Sequence, residues 1–289
     1  MPIKLYSKYG STLKDILNKE GFILFDSSIL FSFDLLGEIY DYRRYQNLDE
    51  KNLQKAKEEL YTYIEFLNDE KVFVIKEVVE ELDRVKRILS EKAKTFNDWE
   101  DYMIRVNKET SKRVEEKRSE FNEICLLTNN VVKTAKKSLY KPEDKDRYEK
   151  FVKAVKFATK DLKRPVHRIR REPRRYRREY EYLGTDEKII AALYNASFEG
   201  HPPVAVSRDS GLCKILVISY NTFASEKLYP YNKLFLEKIE ENPIGIYLST
   251  KQKDMYNLAT STKKIPKELN TRIEYLTIQN LKDIFRGIK

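Results

Sequence analysis

Short continuous apolar runs alternate with polar stretches of helical spacing along most of this chain. After an amphipathic opening segment, Gly21 leads into Phe22-Ile23-Leu24-Phe25, a run too short for a helix and of the kind found in a strand covered on both faces. Similar runs recur at 72–75 (VFVI), 204–206 (VAV), 244–248 (IGIYL) and 273–278 (IEYLTI). Between them, residues 35–67, the stretch KEVVEELDRVKRIL from Lys76, residues 186–198 and a segment ending near Glu241 have helix-compatible spacing, and a last short helix closes the chain. Strands alternating with helices predict an α/β fold with a central, mainly parallel sheet. From about 90 to 180 the chain is polar and helix-forming, punctuated by Pro142, Pro165 and Pro173. The expected organisation is a discontinuous α/β unit, 1–90 with 180–289, carrying an α-helical insertion at 91–179.

Four carboxylates interrupt this pattern where apolar residues are expected, and an ionised group there is costly unless something binds it. Asp26 ends the FILF run and Asp209 follows VAV, and the carboxyl ends of parallel strands are where ligands gather. On the helix from Lys76, Val78, Leu82, Val85 and Leu89 form one stripe; Glu81 lies at its margin and Glu80 on the opposite side. In TDEKIIAAL, Asp186 lines up with Ile190 and Leu193, while Glu187 and Lys188 point elsewhere. Structural readings stand beside these. Asp26 suits a helix N-cap, Glu81 an i,i+3 pair with Arg84, and Asp186 a first helical turn. Two acids after buried strands and two on inward helix faces together point to a divalent cation.

Charge adds a second feature. The chain has 289 residues, with 56 lysines and arginines against 46 acids, and the excess is concentrated. Residues 160–182 (KDLKRPVHRIRREPRRYRREYEY) contain ten cations and four acids, so this segment carries +6 of the net +10. Eight of the cations are arginines: Arg164, Arg168, Arg170, Arg171, Arg174, Arg175, Arg177 and Arg178. The guanidinium fork suits phosphate, and Tyr176, with Tyr180 and Tyr182, is available to stack on unpaired bases. A nucleic-acid-binding arm is expected, against the plainer reading of a solvated charged face.

The motifs FDSSILF (25–31), VFVIKEVVEELDRV (72–85), TDEKIIAAL (185–193) and AVSRDSGL (205–212) resemble, in order, those of the PIN-domain nucleases. The resemblance covers roughly 21–90 and 180–289. It implies a Rossmann-like three-layer sandwich and an acid set of Asp26, Glu81, Asp186 and Asp209 that gathers Mg²⁺ or Mn²⁺ to cleave phosphodiester bonds, usually in RNA. By the same mapping Ser207 and Ser28 orient the site. Two positions depart from the family pattern: Arg208 stands where a small polar residue is common, and Gly211 where some toxin-type members carry a further aspartate. The ELDRV string looks more like RNA-processing and decay members than small toxins.

Other chemistries are poorly supported. GxSxG, GxxxxGK[ST] and GxGxxG are missing, which argues against serine hydrolases, phosphate-loop enzymes and dinucleotide binders. His167 and His201 form no zinc motif, and Cys125 and Cys213 lie 88 positions apart without a CxxC pair. The longest nearly apolar stretch, 22–36, is short for a bilayer and contains Asp26 and Asp34; no membrane span and no export signal are expected, and a reducing cytoplasm fits. The expected protein is a metal-dependent endoribonuclease acting on single-stranded RNA. The alternatives are a non-catalytic RNA-binding protein on the same scaffold, a toxin-type ribonuclease and, in a different class, a protein-binding adaptor. Homo-oligomerisation stays open.

Overall fold

A computed structural model describes residues 3–30, 50–106, 111–160, 162, 184–249 and 256–261. In chain order these form β1 (Ile3–Ser11), α1 (Leu13–Lys19), β2 (Phe22–Phe25), α2 (Ser27–Leu30), α3 (Glu50–Leu67), β3 (Val72–Phe73) and α4 (Lys76–Val106). Then follow α5 (Ser111–Lys137), α6 (Lys145–Ala158), α7 (Thr185–Phe198), β4 (Pro203–Ser207), α8 (Ser210–Phe223), α9 (Tyr231–Glu241), β5 (Gly245–Ser249) and β6 (Tyr256–Ser261). The arginine-rich stretch, including Tyr176, and the 273–278 run lie outside the described residues.

The sheet order is β1-β6-β5-β4-β2-β3. The run β5-β4-β2-β3 is parallel, and β6 and β1 add antiparallel edges. The protein is α/β with a mostly parallel sheet, as its run pattern predicts. All four FILF residues are buried because β2 is central, pairing Ile23 with Val72 on one side and with Val204 on the other. The opening segment, expected only to be amphipathic, is a strand, and β6 was not anticipated; both lie at the antiparallel edge.

Strand order decides where a site can form. From β2 the chain passes to β3 on one side, then returns to β4 on the other side of β2 and continues outward to β5. The order therefore reverses between β2 and β4, the kind of point at which open α/β sheets leave a crevice beyond their carboxyl ends. Asp26 and Asp209 follow those two strands.

The helices between β3 and β4 belong to the same packing. Position 90, the expected edge of the insertion, lies inside α4. Phe121, Ile124 and Val131 of α5 and Phe151 and Val155 of α6 share one apolar core with Ile23, Leu24 and Val206 of the sheet. Just after α5, Val74 donates to Ser138 and accepts from Tyr140, each at 2.9 Å, which extends the β3 edge. Glu199, whose side chain is 3% exposed, receives Arg147 of α6 at 3.3 Å, Asn195 at 2.6 Å and Tyr140 at 3.0 Å. A buried carboxylate so supplied with donors locks α6 against α7. Among the described residues no helix is long and apolar enough to cross a membrane.

Candidate acidic site at the β2–β4 switch point

Asp26 leaves the sheet with its backbone N–H still bonded to Val206 O at 3.1 Å. Its side chain is 4% exposed. Oδ2 accepts from Ser28 Oγ at 2.5 Å and from Ser207 Oγ at 2.7 Å. These hydroxyls also serve the opposite loop: Arg208 N–H donates to Ser28 Oγ and Asp209 N–H to Ser207 Oγ, both at 2.9 Å. The β2 and β4 ends are thus sewn together by two serines, Ser28 and Ser207, both bonded to Asp26. Burial pushes the Asp26 carboxyl above the usual range; the two serine hydrogen bonds pull against this, and the Asp209 charge adds to it.

Glu81 approaches from α4. Its neighbours bear out the stripe geometry: Val78, Leu82 and Leu89 are fully buried, and Glu80 turns outward to Lys76 at 3.3 Å. The Glu81 side chain bonds Ser27, whose Oγ also stands 3.4 Å from Asp26 Oδ1. Thr185 Oγ1 donates to Glu81 Oε1 at 2.5 Å. Burial raises the Glu81 pKa, Ser27 and Thr185 oppose this, Asp26 reinforces it and Arg84 offsets it. The Arg84 pairing read from spacing and the inward-facing reading therefore describe the same glutamate.

Asp209 is the N-cap of α8, with Oδ1 accepting from Gly211 N–H at 2.7 Å. A Cβ at position 211 would lie 3.0 Å from that oxygen, so glycine lets the carboxylate fold back onto the helix start.

Along α7 the inward face differs from the expected one. Asp186 is half-buried, Glu187 is 1% exposed, and Lys188 pairs with Glu77 at 2.5 Å. Glu187 and Lys188, expected to point elsewhere than Asp186, are not left to solvent but are buried and paired respectively. The reason is that α7 is covered almost all round, from Ile189 to Ser197 without a break, so periodicity cannot choose a face. Glu187 lies against Lys156 of α6, close to the left-handed N-cap Gly184 (φ 65°). A Cβ at 184 would sit 3.2 Å from Lys156 Cε. It is Thr185, one position before Asp186, that reaches Glu81.

The geometry thus joins Asp26 to Glu81 through Ser27 and to Asp209 through Ser207. Among the described residues no three His, Cys, Asp or Glu side chains converge as a ready-made cation site. A hard divalent ion is often held by one or two carboxylates together with water and substrate oxygens, and the donors here are all oxygen. Asp26, Glu81 and Asp209 are donors of that chemical type. No family model matches this chain, and no curated protein or solved structure is significantly similar to it.

Sequence reasoning missed Ser27 and Thr185. Hydroxyl residues are common at helix starts, and only their position directly beside the acids DSS and TDE marks them. It also missed Tyr256, which bonds the Arg208 guanidinium, and Tyr63 and Glu59, which act on it electrostatically; nothing in the sequence links those positions.

Proposed function

We propose that this protein is a divalent-metal-dependent nuclease of PIN-like, three-layer architecture, cleaving phosphodiester bonds of single-stranded RNA. The observation that carries the reading is Asp26, a buried carboxylate with a raised pKa at the sheet's switch point, tied through hydroxyls to Glu81 and Asp209. Mg²⁺ or Mn²⁺, when bound, supplies a Lewis acid that activates water and neutralises phosphate charge. Asp26, Glu81 and Asp209 are the oxygen donors that would hold it, and Asp186 is the fourth candidate by its place in the TDEKIIAAL motif. Ser28 and Ser207 hold the Asp26 carboxylate in one orientation, and the raised carboxyl pKa values ease as a cation replaces desolvated repulsion. The last arginine of the basic stretch, Arg178, precedes Asp186 by eight residues, and the stretch supplies the positive charge that an acidic site needs to attract a polyanion.

A second reading, RNA binding without catalysis, is favoured by the lack of a three-acid cluster among the described residues. Cleavage of labelled single-stranded RNA and DNA by wild type, Asp26→Asn and Asp209→Asn, with Mn²⁺, Mg²⁺ or EDTA, separates the two. Metal-dependent cleavage of RNA lost in both variants, with salt-sensitive binding retained, supports the nuclease. Binding without cleavage under either metal supports the scaffold reading.

A further inference from the structure

Arg208 sits between the two residues, Ser207 and Asp209, that the β4–α8 turn contributes to the site, and its two ends face different ways. Its backbone N–H donates to Ser28 Oγ at 2.9 Å, one hydrogen bond from Asp26. Its side chain, half-buried, hydrogen-bonds Tyr256 and is acted on electrostatically by Tyr63 and Glu59. Tyr63 (4% exposed) and Tyr256 (1% exposed) are core residues of α3 and β6, and Tyr63 OH donates to Glu59 Oε2 at 3.2 Å. Burial works against the guanidinium charge, but the phenols and Glu59 outweigh it and its pKa is raised. A planar, permanently charged fork bonded to a buried hydroxyl on β6, under the electrostatic pull of Glu59 on α3, is a rigid anchor.

We infer that Arg208 is the positioning residue of the acidic site, mooring the β4–α8 turn to β6 and α3 and so fixing Ser207, Asp209 and, through Ser28, Asp26 in the geometry that receives a divalent cation. The last step rests on the proposed metal site; the mooring itself does not. It accounts for a large cation at a position where the PIN-like pattern carries a small polar residue.

Charge and position predict opposite signs. Removing a nearby positive charge by itself tightens cation binding, whereas releasing the turn weakens it. Arg208→Lys keeps charge without the fork, Arg208→Met removes both, and Tyr256→Phe removes the hydroxyl at β6 while keeping the buried ring. Two measurements on the full chain are made for each: amide hydrogen exchange, and Mn²⁺ affinity by calorimetry. The expected result is exchange accelerated at least about tenfold at Arg208, Asp209 and Gly211, with Val204 and Val206 unaltered, and Mn²⁺ binding about tenfold weaker in all three variants, in line with outer supports of metal ligands. Unaltered exchange in Arg208→Lys and Tyr256→Phe, or tighter Mn²⁺ binding in Arg208→Met, overturns the proposal. A wild type that does not bind Mn²⁺ overturns the metal reading instead, and the exchange rates still decide whether Arg208 moors the turn.

Discussion

Ser207 Oγ lies 2.7 Å from Asp26 Oδ2 across 181 positions of sequence. The bond exists because β2 and β4 are parallel neighbours in register, Phe25 opposite Val206, so both chains leave the sheet at the same level. The same hydroxyl accepts from Asp209 N–H, which makes Ser207 the joint between the two aspartates.

Ser207→Ala leaves Asp26 with one hydroxyl fewer and strands the Asp209 N–H. Ser207 is fully buried, so water does not replace it, and a hydrogen bond to a charged group contributes about 1.5–3 kcal/mol. The expected loss of stability, read by urea unfolding, is about 2 kcal/mol, together with a further rise in the Asp26 pKa. A loss below about 0.5 kcal/mol contradicts this role.

The pH dependence has a definite sign. Burial raises the folded-state pKa values of Asp26 and Glu81, so the stability associated with their neutral forms is fully present below the ordinary carboxylate pKa and is lost as pH rises through the raised values. Asp26→Asn removes the Asp26 share of that loss, and the variant is more stable than wild type at neutral pH. Thermal unfolding across pH 4 to about 8 tests this. Saturating Mn²⁺ flattens the wild-type profile in the proposed site, and a profile indifferent to Mn²⁺ speaks against an ion there.

Glu199→Ala leaves Arg147, Asn195 and Tyr140 facing a vacated acceptor at the α6–α7 contact. Removing one partner of a buried ion pair typically destabilises by about 3–5 kcal/mol. Chemical denaturation measures the loss, and Arg147→Met in the same chain recovers part of it. Additive losses in the double variant indicate that the two residues act independently.

Gly211→Ala sets two effects against each other. Alanine in place of glycine in a helix stabilises by about 0.5–1 kcal/mol, but its Cβ meets Asp209 Oδ1 at 3.0 Å and displaces the carboxylate. The expected outcome is a near-neutral change in stability with a clear fall in Mn²⁺ affinity and in any cleavage. Unchanged affinity places Asp209 in a capping role alone.

What the sequence by itself determined are the features written in local order. Apolar runs of three to five residues are too short for helices, so β2, β4 and β5 were legible, and a stripe of Val78, Leu82 and Leu89 sufficed to turn Glu81 inward. Asp26 and Asp209 were marked because a carboxylate after a buried strand breaks the apolar pattern. Only the tertiary structure decided that β2 and β4 are neighbours, that Ser27 bridges Asp26 and Glu81 while Thr185 bonds Glu81, that Glu187 rather than Asp186 is the deeply buried acid of α7, and that Arg208 bonds Tyr256. The physical reason is common to all four. A side chain's partners depend on strand order and on elements packed from distant parts of the chain, and a helix enclosed on every side or a serine beside an aspartate carries no local pattern that names them.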